Sequence, residues 1–282
     1  MKRNLAQIIA ITFVLLSYSF IVAAQKTVVP IVYFDEDRGE GGAPLITHGN
    51  LLGGVENGKW LDAKMTFGKL KGTENFSLLN FESGKKGESV LGKFNGDSIT
   101  CFDSYYIQPQ LKVAANFALG KTANWNVFPR QPKKVSLTDT NYKNSVRDVL
   151  RLHGLPRSPV EIKKAISIDL DGDGADEVIL EANHTAEDAN QFATVGTYSL
   201  IVVRKIVGGK PQSLLVGGFF LTHKDEYFDG DYSLAGIADI NGDGKLEMFV
   251  EVAGYEENWL YVYEMKAGKP AEIKALSYYC GV

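Results

Sequence analysis

Apolar and polar positions alternate in short runs along most of the chain, and turn residues break the runs at frequent intervals. That pattern predicts a mainly β protein. Residues 28–34 are apolar enough for one strand. Residues 51–60 set Asn57-Gly58 between apolar flanks, the pair that tight hairpins favour because both central residues need positive φ. Residues 76–81 and 89–94 bracket Ser83-Gly84-Lys85-Lys86-Gly87, a second hairpin. Residues 105–113 suggest another strand, and residues 124–134, with Pro129 and Pro132, read as a linker. One stretch has helical spacing: Val146, Val149 and Leu150 fall at i, i+3 and i+4. Asp139 or Thr140 caps its start, and His153-Gly154-Leu155-Pro156 stops it.

From residue 163 the pattern repeats. Ala165-Ile166-Ser167-Ile168 runs into an acidic segment, residues 169–177, and then Val178-Ile179-Leu180. Later Ala235-Gly236-Ile237-Ala238 runs into residues 239–247 and then Met248-Phe249-Val250. A further pair of strands follows each: residues 198–203 and 213–216, then 259–263 and 273–276. Each unit therefore reads as strand, acidic loop, strand, strand, turn, strand. The expected fold is mainly β, with two four-stranded antiparallel repeat units, a β-rich N-terminal region and one short helix.

The two loops carry oxygen side chains at positions 1, 3, 5 and 9. These are Asp169, Asp171, Asp173 and Glu177 in loop 1, and Asp239, Asn241, Asp243 and Glu247 in loop 2. Alternate short oxygen ligands on a curled backbone suit Ca2+, which takes six to eight oxygens in loose geometry. Positions 4 and 6 are Gly172 and Gly174, then Gly242 and Gly244, residues that tolerate the positive φ such a curl needs. Position 7, Ala175 or Lys245, would contribute its backbone carbonyl. Without a cation, several carboxylates would converge unpaired. Loop 1, with four carboxylates and Asp176 beside them, is expected to bind calcium more tightly than loop 2, where Asn241 is neutral and Lys245 is near. An EF-hand needs a bidentate Glu at position 12; Leu180 and Val250 stand there, in strand-like runs.

These stretches, 168–177 and 238–247, resemble the calcium loop of FG-GAP/VCBS-type repeats, the blades of integrin-α-like β-propellers. The resemblance covers about residues 160–282, and the family usually has Asp where Glu177 and Glu247 stand. It implies calcium-loop hairpins. Two units cannot close a propeller: either the N-terminal half supplies degenerate blades or the two sheets pack on each other, and the second is favoured because no acidic loop recurs before residue 160.

The chain is 282 residues long, with 45% hydrophobic and 23% charged residues, ordinary values for a globular protein. Lys2 and Arg3, an apolar run over residues 5–22 and Val22-Ala23-Ala24 read as a cleaved signal peptide over residues 1–24. Residues 25–135 form the N-terminal region and 136–282 the helix plus repeats. The protein is expected to be secreted or periplasmic, with no membrane span after cleavage. Its net charge of −4 and its lack of a basic stripe argue against nucleic acid as a partner. Cys101 and Cys280 form an even pair in an exported chain, which predicts a disulfide.

Catalytic signals are sparse. His48, His153, His184 and His223 show no metal spacing, and there is no Gly-x-Ser-x-Gly elbow or phosphate-binding glycine loop. Tyr255, Trp259, Tyr261 and Tyr263, or Tyr105 and Tyr106, offer a protein or carbohydrate contact surface, although period-two spacing also suits cross-strand packing. The reading is a calcium-binding repeat protein without catalysis, acting as a protein- or glycan-binding or structural module. The alternative is a secreted hydrolase using acids such as Asp35, Glu36, Asp37, Glu40 or Asp103.

Overall fold

The computed structural model describes residues 28–34, 49–70, 72–81, 83–96, 105–107, 117–187, 193–224, 230–254 and 257–281. The expected signal segment, Cys101 and the acids Asp35, Glu36, Asp37, Glu40 and Asp103 lie outside the described residues, as do His48 and Tyr255.

The N-terminal strands are β1 (Val29–Phe34), β2 (Gly49–Glu56), β3 (Lys59–Asp62), β4 (Thr73–Asn80), β5 (Lys85–Asn95), β6 (Tyr106–Ile107) and β7 (Phe117–Gly120), with a one-turn helix α1 (Ala63–Phe67) after β3. They run β1-β7-β4-β5-β6-β2, and β2 pairs back onto β1, so six strands close a ring. Closure removes exposed sheet edges. The β2–β3 turn is the expected Asn57-Gly58, both at positive φ (54° and 70°). The barrel interior holds Val32, Phe34, Leu51, Phe76, Phe94 and Ile107, with Phe76 and Phe94 meeting edge to face at 5.5 Å.

The C-terminal part comprises β8 (Lys133–Lys134), α2 (Thr140–Leu152), β9 (Ile162–Ile168), β10 (Glu177–His184), β11 (Tyr198–Val207), β12 (Lys210–Phe220), β13 (Asp231–Ala238), β14 (Glu247–Ala253), β15 (Glu257–Lys266) and β16 (Lys269–Gly281). These build two antiparallel meanders, β9 to β12 and β13 to β16, matching the repeat. The short β8 adds to β9, so the first sheet has five strands. The segment expected to be a linker thus ends as an edge strand.

The layers follow from strand alternation, since successive side chains point to opposite faces. Val178, Leu180, Leu200 and Val202 face α2. Ile179, Ile201 and Val203 face the second sheet, where Met248, Val250 and Val252 meet them. Phe249, Leu260 and Val262 point the other way and join Ile31, Tyr33, Leu79 and Phe117 of the barrel. The order is helix, first sheet, second sheet, barrel. Asp139 caps α2, its carboxylate accepting from the Asn141 amide at 2.7 Å. Val146, Val149 and Leu150 are buried on its inner face, each contributing about 1.5–3 kcal/mol.

Trp259, Tyr261 and Tyr263 pack against the core between the sheets, which is the cross-strand role. Tyr105 stacks on Phe67 at 4.4 Å. His153 caps α2 and lies flat on Phe220, ring centroids 4.2 Å apart. No described helix is long and apolar enough to cross a membrane.

Candidate metal centre

Both acidic loops close antiparallel hairpins in the same frame. Ile168 pairs with Glu177 across loop 1, and Ala238 pairs with Glu247 across loop 2. Position 2 is an apolar anchor, Leu170 or Ile240, fully buried in the adjoining core. Its amide donates to Oε2 of the position-9 glutamate, at 2.8 Å in loop 1 and 2.9 Å in loop 2. The position-1 aspartate ties down the curl. Asp169 accepts from the Gly172 and Gly174 amides at 2.7 and 3.1 Å, and Asp239 accepts from Gly242 and Gly244 at 2.6 and 2.9 Å. Those four glycines have φ between 76° and 87°, where a side chain would be strained. Position 5 caps position 7: Asp173 accepts from the Ala175 amide, and Asp243 from the Lys245 amide, both at 2.8 Å. A glutamate at position 9 is long enough to reach back across the loop, which leaves Oε1 to face the other acids.

The loops lie side by side. The Leu246 amide donates to the Leu170 carbonyl at 2.8 Å. Arg130 spans both: Nε donates to the Asp169 carbonyl at 2.6 Å and a terminal nitrogen donates to the Gly244 carbonyl at 2.7 Å. Trp125 lies against loop 2, its indole nitrogen donating to the Asp239 carbonyl at 2.9 Å. A Cβ on Gly242 would stand 2.8 Å from that ring, so the close approach needs glycine. The proline-containing segment before β8 therefore staples the two hairpin ends together.

The loops differ in what stands among their acids. In loop 1 the oxygens of Asp169, Asp171 and Glu177 lie within 4.8 Å of one another. The Lys205 ammonium sits against this group, donating to Asp171 at 2.6 Å, Glu177 at 2.7 Å and Asp173 at 3.1 Å. Burial alone would lower the Lys205 pKa, but the three carboxylates outweigh it and raise it well above its ordinary value. Asp176 faces away, held below the ordinary carboxylate range by Ser167 and Lys133. In loop 1 an ammonium of the chain thus shares three of the carboxylates that a dication would use.

Loop 2 has no such lysine in its strand partner. Lys205 follows from the register, one step beyond the Val178–Arg204 pair. The same step beyond Met248–Tyr263 in the second sheet brings Glu264 opposite Glu247. Glu247 is 1% exposed and Asp239 is 3% exposed. Burial first, then Asp243, Asp239 and Glu264, push the Glu247 carboxyl well above its ordinary range, against the Ile240 amide, which pulls it down. Burial likewise raises Asp239. Asp239, Asn241, Asp243 and Glu247, with Glu264 as a further carboxylate, are the all-oxygen donor type that a hard dication takes, but among the described residues the loop 1 trio alone has its oxygens gathered within 4.8 Å.

All the loop residues expected from the sequence are thus brought to one end of the stacked sheets. Lys205, Glu264, Arg130 and Trp125 were not expected there. For Lys205 and Glu264 the signal is the strand register; Arg130 and Trp125 come from the segment before β8 and reach the loops only in the folded chain. No family model, curated protein or solved structure matches the chain.

Proposed function

We propose that the chain is an exported, non-catalytic calcium-binding β-repeat protein whose metal stiffens one end of the stacked sheets, where it presents a surface to a protein or glycan. The likeness of its loops to FG-GAP/VCBS repeats supports this reading. One observation carries it: Glu247, buried among Asp239, Asp243 and Glu264, has only acids as its strongest charged neighbours. Several carboxylates held together away from water are costly unless a cation neutralises them. Asp239, Asn241, Asp243 and Glu247 would hold the ion, with the Lys245 carbonyl as a further oxygen. Bound calcium supplies positive charge and cross-links the hairpin ends. The chain's own contribution is to pre-curl the loop through Gly242 and Gly244 and to anchor it through Ile240.

The test is thermal unfolding of the purified mature protein with chelator and with millimolar calcium, alongside metal content by mass spectrometry. Calcium is expected to raise the melting temperature and to co-purify. Equal melting temperatures with no metal retained sink the reading. A pull-down from the native envelope with and without chelator then tests the partner surface; capture independent of calcium counts against a calcium-stiffened binding face.

A further inference from the structure

We propose that loop 1 is a metal-independent copy of the calcium loop, its cation supplied by the chain itself as Lys205, and that loop 2 is the one loop left to take calcium. The second half rests on the calcium reading given above; the first half stands on geometry alone.

An ammonium has three N–H donors. Those of Lys205 are met by one oxygen each of Asp171, Asp173 and Glu177, at 2.6, 3.1 and 2.7 Å. The lysine side chain is 11% exposed and Glu177 is 1% exposed, while Asp173 is 49% exposed, so the buried glutamate has a counter-cation supplied by the chain. A dication in the same space would stand beside a fixed positive charge and would have to expel it. Ligand count ranks loop 1 the stronger site, but the count omits the lysine.

The same ammonium joins two of the gathered acids, Asp171 and Glu177, while the third, Asp169, is held in place by the Gly172 and Gly174 amides. The sister loop supplies the internal comparison. The position-2 anchor, the position-9 glutamate and the position-1 turn bonds are the same in both loops. The registers of β11 on β10 and of β15 on β14 then place Lys205 opposite Glu177 and Glu264 opposite Glu247. One hairpin brings a cation to its loop and the other brings an additional anion. The same backbone frame thus carries a counter-cation of its own in one copy and is left dependent on solution for one in the other.

Isothermal titration of calcium into the full mature protein tests this. A single equivalent is expected. Asp171→Asn is expected to leave stoichiometry and affinity unchanged, and Glu264→Lys to abolish binding while circular dichroism shows the fold intact. Lys205→Met is expected to add a second equivalent; because it strips a buried carboxylate of its partner and can prevent folding, the first two variants carry the test independently. Two equivalents in the unaltered protein, binding lost in Asp171→Asn, or unchanged binding in Glu264→Lys overturns the proposal and leaves the calcium reading intact. No heat of binding, with no metal retained by mass spectrometry, overturns the calcium reading and with it the assignment of calcium to loop 2.

Discussion

Replacing Glu247 by Gln should separate the cost of the empty loop from the gain on metal binding. The amide oxygen of Gln can keep the 2.9 Å bond from the Ile240 amide, so the loop need not rearrange. What changes is charge: a carboxylate that is 1% exposed and surrounded by Asp243, Asp239 and Glu264 becomes neutral. Without calcium the variant should therefore be more stable than the parent at neutral pH. With calcium it should lose the response. For an extracellular-type site with a dissociation constant of roughly 10⁻⁴–10⁻³ M, about 10 mM calcium stabilises the folded parent by about 1.4–2.7 kcal/mol. In urea that is a midpoint shift of about 0.5–1.4 M for a slope of roughly 2–3 kcal/mol/M.

The pH dependence adds a second reading. The folded Glu247 carboxyl titrates well above its ordinary 4.5, so in the metal-free parent its contribution is fully present below that ordinary value and is lost as pH rises through the folded one. The Gln variant should lack this slope. Urea unfolding monitored by tryptophan fluorescence, with chelator and with calcium, measures all three effects. A Gln variant that is less stable than the parent under chelator, or that keeps the calcium shift, refutes the reasoning.

Further outcomes follow from other contacts. Lys205→Met should cost about 3 kcal/mol, since it leaves Glu177 buried without its cation, while half-exposed Asp173 adds little; urea midpoints measure it. Arg130→Ala should cost about 2–4 kcal/mol for two bonds from a charged donor, and Arg130→Lys should recover about half, because an ammonium lacks the fork that reaches both the Asp169 and Gly244 carbonyls. Gly236→Ala should destabilise by about 1–3 kcal/mol through overpacking, because its Cβ would lie 2.2 Å from the Phe81 ring; calorimetry checks it. Thiol titration of the denatured, unreduced protein should find no free thiol at Cys101 or Cys280, and a reactive thiol there would exclude the disulfide.

Strand and loop content was legible because it rests on local rules. Asn57-Gly58 turns a hairpin through its own φ preferences, and Val146, Val149 and Leu150 mark a helix face by spacing alone. The repeat was legible because both loops keep glycine and oxygen side chains at the same positions, and the curl they produce is a property of each short segment. Trp259, Tyr261 and Tyr263 show the limit: alternation places them on one face, and only the stacking of the first sheet on the second makes that face interior.

Closure of the N-terminal strands into a ring depends on β1 pairing with both β2 and β7, contacts between residues far apart in the chain. The same holds for the loops. Their oxygen ligands and glycine turns are written within nine consecutive residues, so the sequence by itself determined that two acidic hairpin ends would form. Which charge faces each of them was decided by the tertiary structure, because hairpin register and sheet stacking bring Lys205 to one loop, Glu264 to the other and Arg130 between them. Electrostatic energy depends on distances through space, and those partners become neighbours only when the strands align.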